Sequence, residues 1–225
     1  LNELHERLHP NVSLVMITEP HNPSGVLVPR EQVLELAKMA QQVGAYVVIN
    51  EVYRGYSQTA SYHREADNIV VVSSLSKFAG AYWMRLGWLS ATAKLCERLR
   101  QGHLNMGLGT LVASMAGMRL LESIEPMARS ACERSAAGRE VVHKWVEATP
   151  DITWSRPDGP GFGAISIPGQ IDDLAFAQHL HEKHGVLVVP GSCFDAPGTL
   201  RVSWLQAGVR LQEGLDILAT EMASF

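Results

Sequence analysis

The most informative part of this chain is Ser73-Ser74-Leu75-Ser76-Lys77-Phe78-Ala79-Gly80-Ala81-Tyr82-Trp83-Met84-Arg85-Leu86-Gly87. It directly follows residues 69–72, an apolar β-branched run typical of a buried parallel strand. In open α/β sheets, ligands lie outside the carboxyl ends of the strands, so we expect Lys77 to project into a site. A lysine amine can form a Schiff base with a carbonyl group, and an arginine can bind phosphate oxygens with two donors. The stretch therefore predicts a place that holds a phosphate beside an amine, although Ser-x-Ser-Lys alone is also typical of an exposed loop.

Two further apolar runs end in polar clusters. Residues 14–17 lead into Thr18-Glu19-Pro20-His21-Asn22-Pro23-Ser24-Gly25, in which Asn-Pro and Ser-Gly indicate a turn. Residues 46–49 lead into Asn50-Glu51-Val52-Tyr53. Three strands would thus bring three polar clusters to one sheet edge, although Asn22 could also serve only its own loop through an Asx-turn.

These segments together resemble the class I/II aminotransferase family of fold-type I enzymes, which depend on pyridoxal 5′-phosphate (PLP). The matching segments are Asn22-Pro23-Ser24-Gly25, Asn50-Glu51-Val52-Tyr53, Ser74-Leu75-Ser76-Lys77 with Arg85, and Arg201-Val202-Ser203-Trp204. Each segment alone is a weak signal, but their order and spacing over nearly the whole chain are specific. The loop Pro190-Gly191-Ser192-Cys193-Phe194 also resembles that of the family.

The resemblance implies a role for each matching residue. Lys77 would be the catalytic lysine, which forms a Schiff base with PLP and moves a proton between substrate and cofactor. Arg201 would bind the substrate α-carboxylate in a two-pronged contact that lysine could not supply. The other implied cofactor-binding residues are Asn22 and Tyr53 at the phenolic oxygen, Asn50 at the ring nitrogen, and Ser74, Ser76 and Arg85 at the phosphate.

Asn50 departs from the family pattern, which has an aspartate at this position. A carboxylate raises the pKa of the pyridine nitrogen, and the protonated ring is the better electron sink. An asparagine brings no charge, so we expect slower removal of the substrate proton or a chemistry that needs less of the electron sink. Glu51 could instead reorient toward the ring, but neighbouring strand residues point to opposite faces.

Length is the second departure, since members of the family carry a substantial N-terminal portion before the Asn-Pro loop. The chain starts at Leu1, and its first ten residues have too little patterning to replace that portion. We expect a fragment, a split protein that needs a partner, or a decayed copy. Three functions follow: an aminotransferase acting on an α-amino acid and a keto acid, a related PLP enzyme (β-lyase, decarboxylase or cyclase), or an incomplete, non-catalytic protein. The family also implies a homodimer.

Composition predicts a cytoplasmic α/β protein. The 225 residues are 46% hydrophobic and 19% charged, and the apolar runs are strand-sized, so neither a membrane helix nor a signal peptide is indicated. A formal charge of −4 gives no reason to expect nucleic-acid binding. The three cysteines are far apart in sequence, which argues against disulfides and structural zinc.

Alternation of strands and helices predicts a PLP-dependent transferase fold. We assign residues 1–105 to the C-terminal part of a large PLP-binding domain with a mainly parallel sheet, including an amphipathic helix over residues 31–43. Residues 106–125 would form an interdomain helix, and residues 126–225 a small α/β domain with strands near 152, 162–167, 186–189 and 200–204.

The histidines at positions 179, 181 and 184 are close in sequence and of a residue type that binds metals. They lie on a predicted helix that begins at the acidic cap Asp172 and ends before Gly185. Only His181 and His184 share a face by helical spacing, and no carboxylate or cysteine lies at ligand spacing, so we predict no metal.

Overall fold

The computed structural model describes residues 2–104, 111–205 and 208–225. The chain folds as two compact units, each continuous in space but not in sequence. Unit 1 comprises Leu1–Pro20 and Val28–Ala131, and unit 2 comprises His21–Leu27 and Cys132–Phe225. The domain limits near residues 105 and 126 stay predictions, and residues 106–110 of the predicted interdomain helix lie outside the described part.

Unit 1 is built on a mixed four-stranded sheet in the order β1-β2-β3-β4. Its elements are α1 (Asn2–Arg7), β1 (Leu14–Thr18), α2 (Arg30–Gln42), β2 (Tyr46–Asn50), β3 (Ile69–Ser74), β4 (Gly87–Ser90), α3 (Ala93–Leu104) and α4 (Leu111–Leu121). The three predicted strands are confirmed, and both of their pairings are parallel. The fourth strand, β4, was not predicted and runs antiparallel to β3.

One face of this sheet is covered by α2. Val33, Leu36, Ala37 and Ala40 of the helix are buried against a cluster that includes Val47 and Ile49 of β2 and Ile69 and Val71 of β3. Because side chains alternate along a strand, even-numbered residues of β2 and β3 lie on the other face. Asn50 and Ser74 therefore lie on one face of the sheet, and α2 packs on the opposite face.

Unit 2 contains an antiparallel sheet in the order β5-β6-β8-β7. Its elements are the end of α5 (Ile124–Ala148), which begins in unit 1, then β5 (Thr153–Trp154), β6 (Phe162–Ser166), α6 (Asp173–His184), β7 (Val189–Pro190), β8 (Thr199–Ser203) and α7 (Gly208–Ser224). The helices pack on the sheet through Val142, Phe176, Leu180, Leu215 and Leu218, with Ile165 and Leu200 fully buried.

The ends of α6 follow the prediction. The Asp172 side chain accepts a hydrogen bond from Ala175 N, and Gly185 ends the helix in the left-handed conformation. The strand predicted at residues 186–189 is shorter than expected, because Val186 N donates to Leu180 O and its backbone closes the helix instead. None of the described helices has the length and apolarity needed to cross a membrane.

Candidate active site

Lys77 lies in a tight turn just beyond β3. Leu75 is fully buried and Phe78 nearly so, which fixes the backbone on both sides of the exposed lysine. The turn is closed by Gly80 N, which donates to Lys77 O at 3.0 Å. The Lys77 Nζ lies 5.7 Å from the centre of the Tyr53 ring, so the structure brings these two predicted residues together.

The predicted phosphate-binding residues lie around this turn. Ser76 N donates to Ser74 Oγ at 3.2 Å, which orients the Ser74 hydroxyl. Gly87 is the strand partner of Ser74, and Arg85 lies two positions before Gly87. The arginine is therefore at the same sheet edge as Ser74. Arg85 is exposed, adopts a left-handed backbone with φ of 53°, and donates from Nη1 to Tyr82 O at a long 3.4 Å.

Asn50 ends β2 with its amide oriented by its own turn. Val52 N donates to Asn50 Oδ1 at 3.1 Å, and the side chain is half-buried. Asn50 pairs with Val72 in the parallel ladder, two residues before Ser74. The sheet thus places Asn50 and Ser74 on the same face of adjacent strands.

Glu51, by contrast, is held on the face that α2 covers. Its side chain is 2% exposed, and its carboxylate accepts hydrogen bonds from Arg54 Nε at 2.8 Å and Tyr62 N at 2.7 Å. The Ser61 hydroxyl also donates to this carboxylate, at 2.8 and 3.0 Å from its two oxygens. These partners oppose the reorientation that the sequence left open for Glu51.

Arg201 lies in unit 2 between two aromatic rings. Its guanidinium carbon is 5.3 Å from the centre of the Phe162 ring and 5.1 Å from that of Phe194. Arg201 Nη1 donates to Asn22 Oδ1 at 2.8 Å, because the Asn-Pro turn belongs to the same unit. Asn22 is thus joined to the predicted carboxylate-binding arginine, and its predicted pairing with Tyr53 at the phenolic oxygen stays a prediction.

The loop at residues 190–194, which carries Phe194, is fastened by Asp173. This buried carboxylate accepts hydrogen bonds from Ser192 N at 2.7 Å and Ser192 Oγ at 2.8 Å. Burial opposes ionisation of Asp173, but the hydrogen bonds from Ser192 outweigh it and hold the pKa of the carboxyl below its ordinary value. Neither Asp173 nor Phe162 was expected at the site, because the contacts that give them a role join residues far apart in sequence.

Two histidines of α6 meet a carboxylate on α7. His179 Nε2 and His184 Nε2 lie 2.5 and 2.9 Å from the carboxylate of Glu221 on α7, and Lys183 Nζ donates to both of its oxygens at 3.0 Å. The carboxylate that His179 and His184 share comes from another helix, so helical spacing alone could not indicate it. Hydrogen bonds from His179, Lys183 and His184 lower the pKa of Glu221 to about 2. Within the described ranges, no group of three metal-ligand side chains is arranged to hold an ion.

The residues at the carboxyl edge of unit 1 fit PLP in their chemistry. Lys77 offers an amine for the aldehyde, next to the aromatic ring of Tyr53. Ser74, Ser76 and Arg85 offer hydroxyl and guanidinium donors for the phosphate. Asn50 offers an amide on the same sheet face for the ring nitrogen. The donor set therefore matches the aldehyde, the phosphate and the ring nitrogen of the cofactor.

Comparison with known proteins agrees with this fit. Residues 1–216 match the family model "Aminotransferase class I and II". The chain is 29% identical over 224 residues to an arginine–pyruvate transaminase of Pseudomonas aeruginosa, covering 93% of this chain and 56% of that protein. It is 28% identical over 225 residues to an aspartate aminotransferase of Thermotoga maritima, covering 96% of this chain and 58% of that protein.

Solved structures show the same similarity. The crystal structure of a Thermotoga maritima aspartate aminotransferase superposes with a TM-score of 0.85 at 26% identity, covering 99% of this chain and 60% of that one. The chain thus spans less than two thirds of the length of the relatives it matches. Since the family model covers nearly all of its residues, the chain belongs to the class I and II aminotransferase family.

Proposed function

We propose that this chain carries the PLP-binding and carboxylate-binding residues of an aminotransferase that moves an amino group between an α-amino acid and a keto acid. The observation that carries the proposal is the position of Lys77, beside Tyr53 and just beyond the carboxyl end of a parallel strand. The family match supports it, and the relatives named above are transaminases.

Lys77 would act as nucleophile and as proton carrier. Its amine is exposed at the end of a turn whose neighbours Leu75 and Phe78 are buried, so the backbone is rigid while the side chain reaches a ligand. An amine in this position can bond to a carbonyl carbon and can accept a proton from a substrate Cα. PLP, when bound, supplies the electron sink for the electron pair that the proton leaves behind.

Arg201 would bind the substrate carboxylate. Its Nη1 donates to Asn22, which leaves Nη2 and Nε as the edge that can receive two carboxylate oxygens. The rings of Phe162 and Phe194 lie within cation–π distance of the guanidinium and restrict its rotation. Such a prepared fork selects ligands with a planar anionic group, as α-amino acids and keto acids have.

A single-turnover assay tests this function. The chain loaded with PLP is mixed with a panel of α-amino acids in the absence of a keto acid, and the products are identified by mass spectrometry. We expect a keto acid with the intact carbon skeleton of the donor, and its amino nitrogen on the cofactor. Release of carbon dioxide or ammonia would instead assign a decarboxylase or a lyase, and no product would refute the proposal.

Substitution of Arg201 makes the assay specific to the carboxylate. Arg201→Lys keeps the positive charge but loses the two-donor edge of the guanidinium. The substitution removes one charge-assisted hydrogen bond, which contributes ~1.5–3 kcal/mol, so we expect kcat/KM to fall about 10- to 150-fold. Arg156→Lys is the matched control in the same unit, because Arg156 forms an exposed ion pair with Glu140. Equal activity in the two variants would remove Arg201 from the proposed role.

The proposal includes a homodimer in the cytoplasm. The family resemblance supports the dimer, and the cysteines at positions 96, 132 and 193 are free thiols, in keeping with a reducing compartment. Sedimentation equilibrium of the PLP-loaded chain tests the assembly, with twice the chain mass expected and the mass of one chain contradicting it.

A further inference from the structure

The carboxylates at the edge that carries Lys77 are turned away from the proposed cofactor face. Glu19 and Glu51 directly follow β1 and β2, and both are 2% exposed. Each lies two positions after an isoleucine, Ile17 or Ile49, that packs in the core beneath α2. Because side chains alternate along a strand, both carboxylates lie on the opposite face from Asn50. Glu19 Oε1 accepts a hydrogen bond from Val28 N at 2.9 Å.

Asn50 is placed to meet the ring of a ligand that is held at Ser74 and Lys77. Ser74 lies one strand away and two residues further along, which separates the two Cα atoms by roughly 8 Å at ordinary strand spacing and rise. Both side chains are half-buried on the same face. A pyridine ring with a phosphate arm spans such a separation, with its phosphate at Ser74 and its nitrogen at Asn50.

The amide of Asn50 is turned so that it presents a donor. Its oxygen already accepts the Val52 N–H at 3.1 Å, and a backbone N–H can pair only with the oxygen end of the amide. The NH₂ end therefore faces away from Val52 N and offers a donor to a ring held on this face of the sheet. An N–H donor pairs with the lone pair of a neutral pyridine nitrogen and repels the N–H of a pyridinium.

We infer that Asn50 holds the ring nitrogen of PLP in its neutral, unprotonated form. The inference rests on the proposed function and adds a role that distinguishes this chain within its family. Without the positive charge on the ring, the cofactor withdraws less electron density from the substrate. The chain would thus favour reactions that need a weaker electron sink, and it would remove the substrate proton more slowly than a variant with a carboxylate at this position.

Nitrogen-15 NMR of the cofactor ring tests the inference without relying on activity. PLP labelled at the ring nitrogen is bound to the wild-type chain, to Asn50→Asp and to Gln32→Glu, and its chemical shift is compared with protonated and neutral PLP model compounds. An aspartate oxygen can still accept the Val52 N–H, so Asn50→Asp keeps the turn. Gln32 is exposed on α2, on the other side of the sheet, and controls for added charge alone.

At neutral pH we expect the neutral-ring shift in the wild-type chain and in Gln32→Glu, and the protonated-ring shift in Asn50→Asp alone. A protonated ring in the wild-type chain overturns the inference while leaving the proposed function intact. Borohydride reduction and peptide mapping are run on the same samples. If PLP does not attach to Lys77, the proposed function fails and the inference fails with it.

Discussion

Glu51→Gln gives a quantitative test of how firmly the carboxylate beside Asn50 is held. Glutamine keeps one oxygen, which can accept the Tyr62 N–H now 2.7 Å from the carboxylate. Its NH₂ group then faces the Nε–H of Arg54, now 2.8 Å from the other oxygen, and two donors meet. At least one charge-assisted hydrogen bond is lost.

A hydrogen bond to a charged group contributes ~1.5–3 kcal/mol, so we expect Glu51→Gln to lower the free energy of unfolding by about 2 kcal/mol. With a urea m-value of about 2 kcal/mol per molar, the unfolding midpoint falls by about 1 M. Urea titration followed by circular dichroism measures this shift. The m-value should stay unchanged, because the substitution alters an interaction and not the surface exposed on unfolding.

The matched control is Glu35→Gln on α2. Glu35 pairs with Lys38 at 3.4 Å, and both side chains are more than half exposed. Such surface pairs contribute ~0.2–1 kcal/mol, so the control should move the midpoint by less than about 0.5 M. A shift for Glu51→Gln no larger than that of the control would mean that these hydrogen bonds do not hold the carboxylate, and Glu51 would then be available to turn toward a ligand.

Three further variants test other parts of the structure. Gly55→Ala would place a methyl group 2.5 Å from Phe78 Cδ1, so we expect a loss of ~1–3 kcal/mol in urea unfolding and weaker PLP binding by absorbance titration. Asp173→Asn removes the negative charge of the carboxylate to which Ser192 N and Oγ donate. We expect the free energy of unfolding to fall by ~1.5–3 kcal/mol and the KM for the amino acid to rise. The folded-state pKa of Glu221 is about 2, below its ordinary 4.5, so its stabilisation is present above pH 4.5 and is lost as the pH falls toward 2. Glu221→Gln should therefore lower the melting temperature at neutral pH and flatten its decline in acid.

Controls for these variants are available in the chain. Gly102 on α3 has open space around its Cα, so Gly102→Ala should not destabilise the protein. Glu213 is exposed on α7, and Glu213→Gln should leave the acid limb of the melting curve as in the wild-type chain. If Gly102→Ala destabilised the protein as much as Gly55→Ala, crowding at Gly55 would not explain the loss of stability. If Glu213→Gln flattened the acid limb as Glu221→Gln does, the charge of Glu221 would not explain the pH dependence.

Much of unit 1 could be predicted because its signals are local. The apolar runs that became β2 and β3 lead into the polar segments that carry Asn50 and Lys77, so strand prediction also located the candidate site. The strand β4 was missed because Gly87-Trp88-Leu89-Ser90 has no β-branched residue and is defined by its pairing with β3.

Long-range contacts explain what the sequence did not reveal in unit 2. The ion-pair cluster of α6 depends on Glu221, which lies 42 positions after His179. The aromatic ring of Phe162 reaches Arg201 through the pairing of β6 with β8, and that pairing was not predicted. The family resemblance indicates that Arg201 is a candidate, but only the packing shows what holds it.

Site-specific trapping determines whether Lys77 is the lysine that binds PLP. The purified chain is incubated with PLP, reduced with borohydride and digested, and the labelled peptide is identified by mass spectrometry. We expect a single dominant label on Lys77, which is absent in Lys77→Ala and retained in Lys38→Ala. Label spread over exposed lysines, or unchanged labelling in Lys77→Ala, would contradict it.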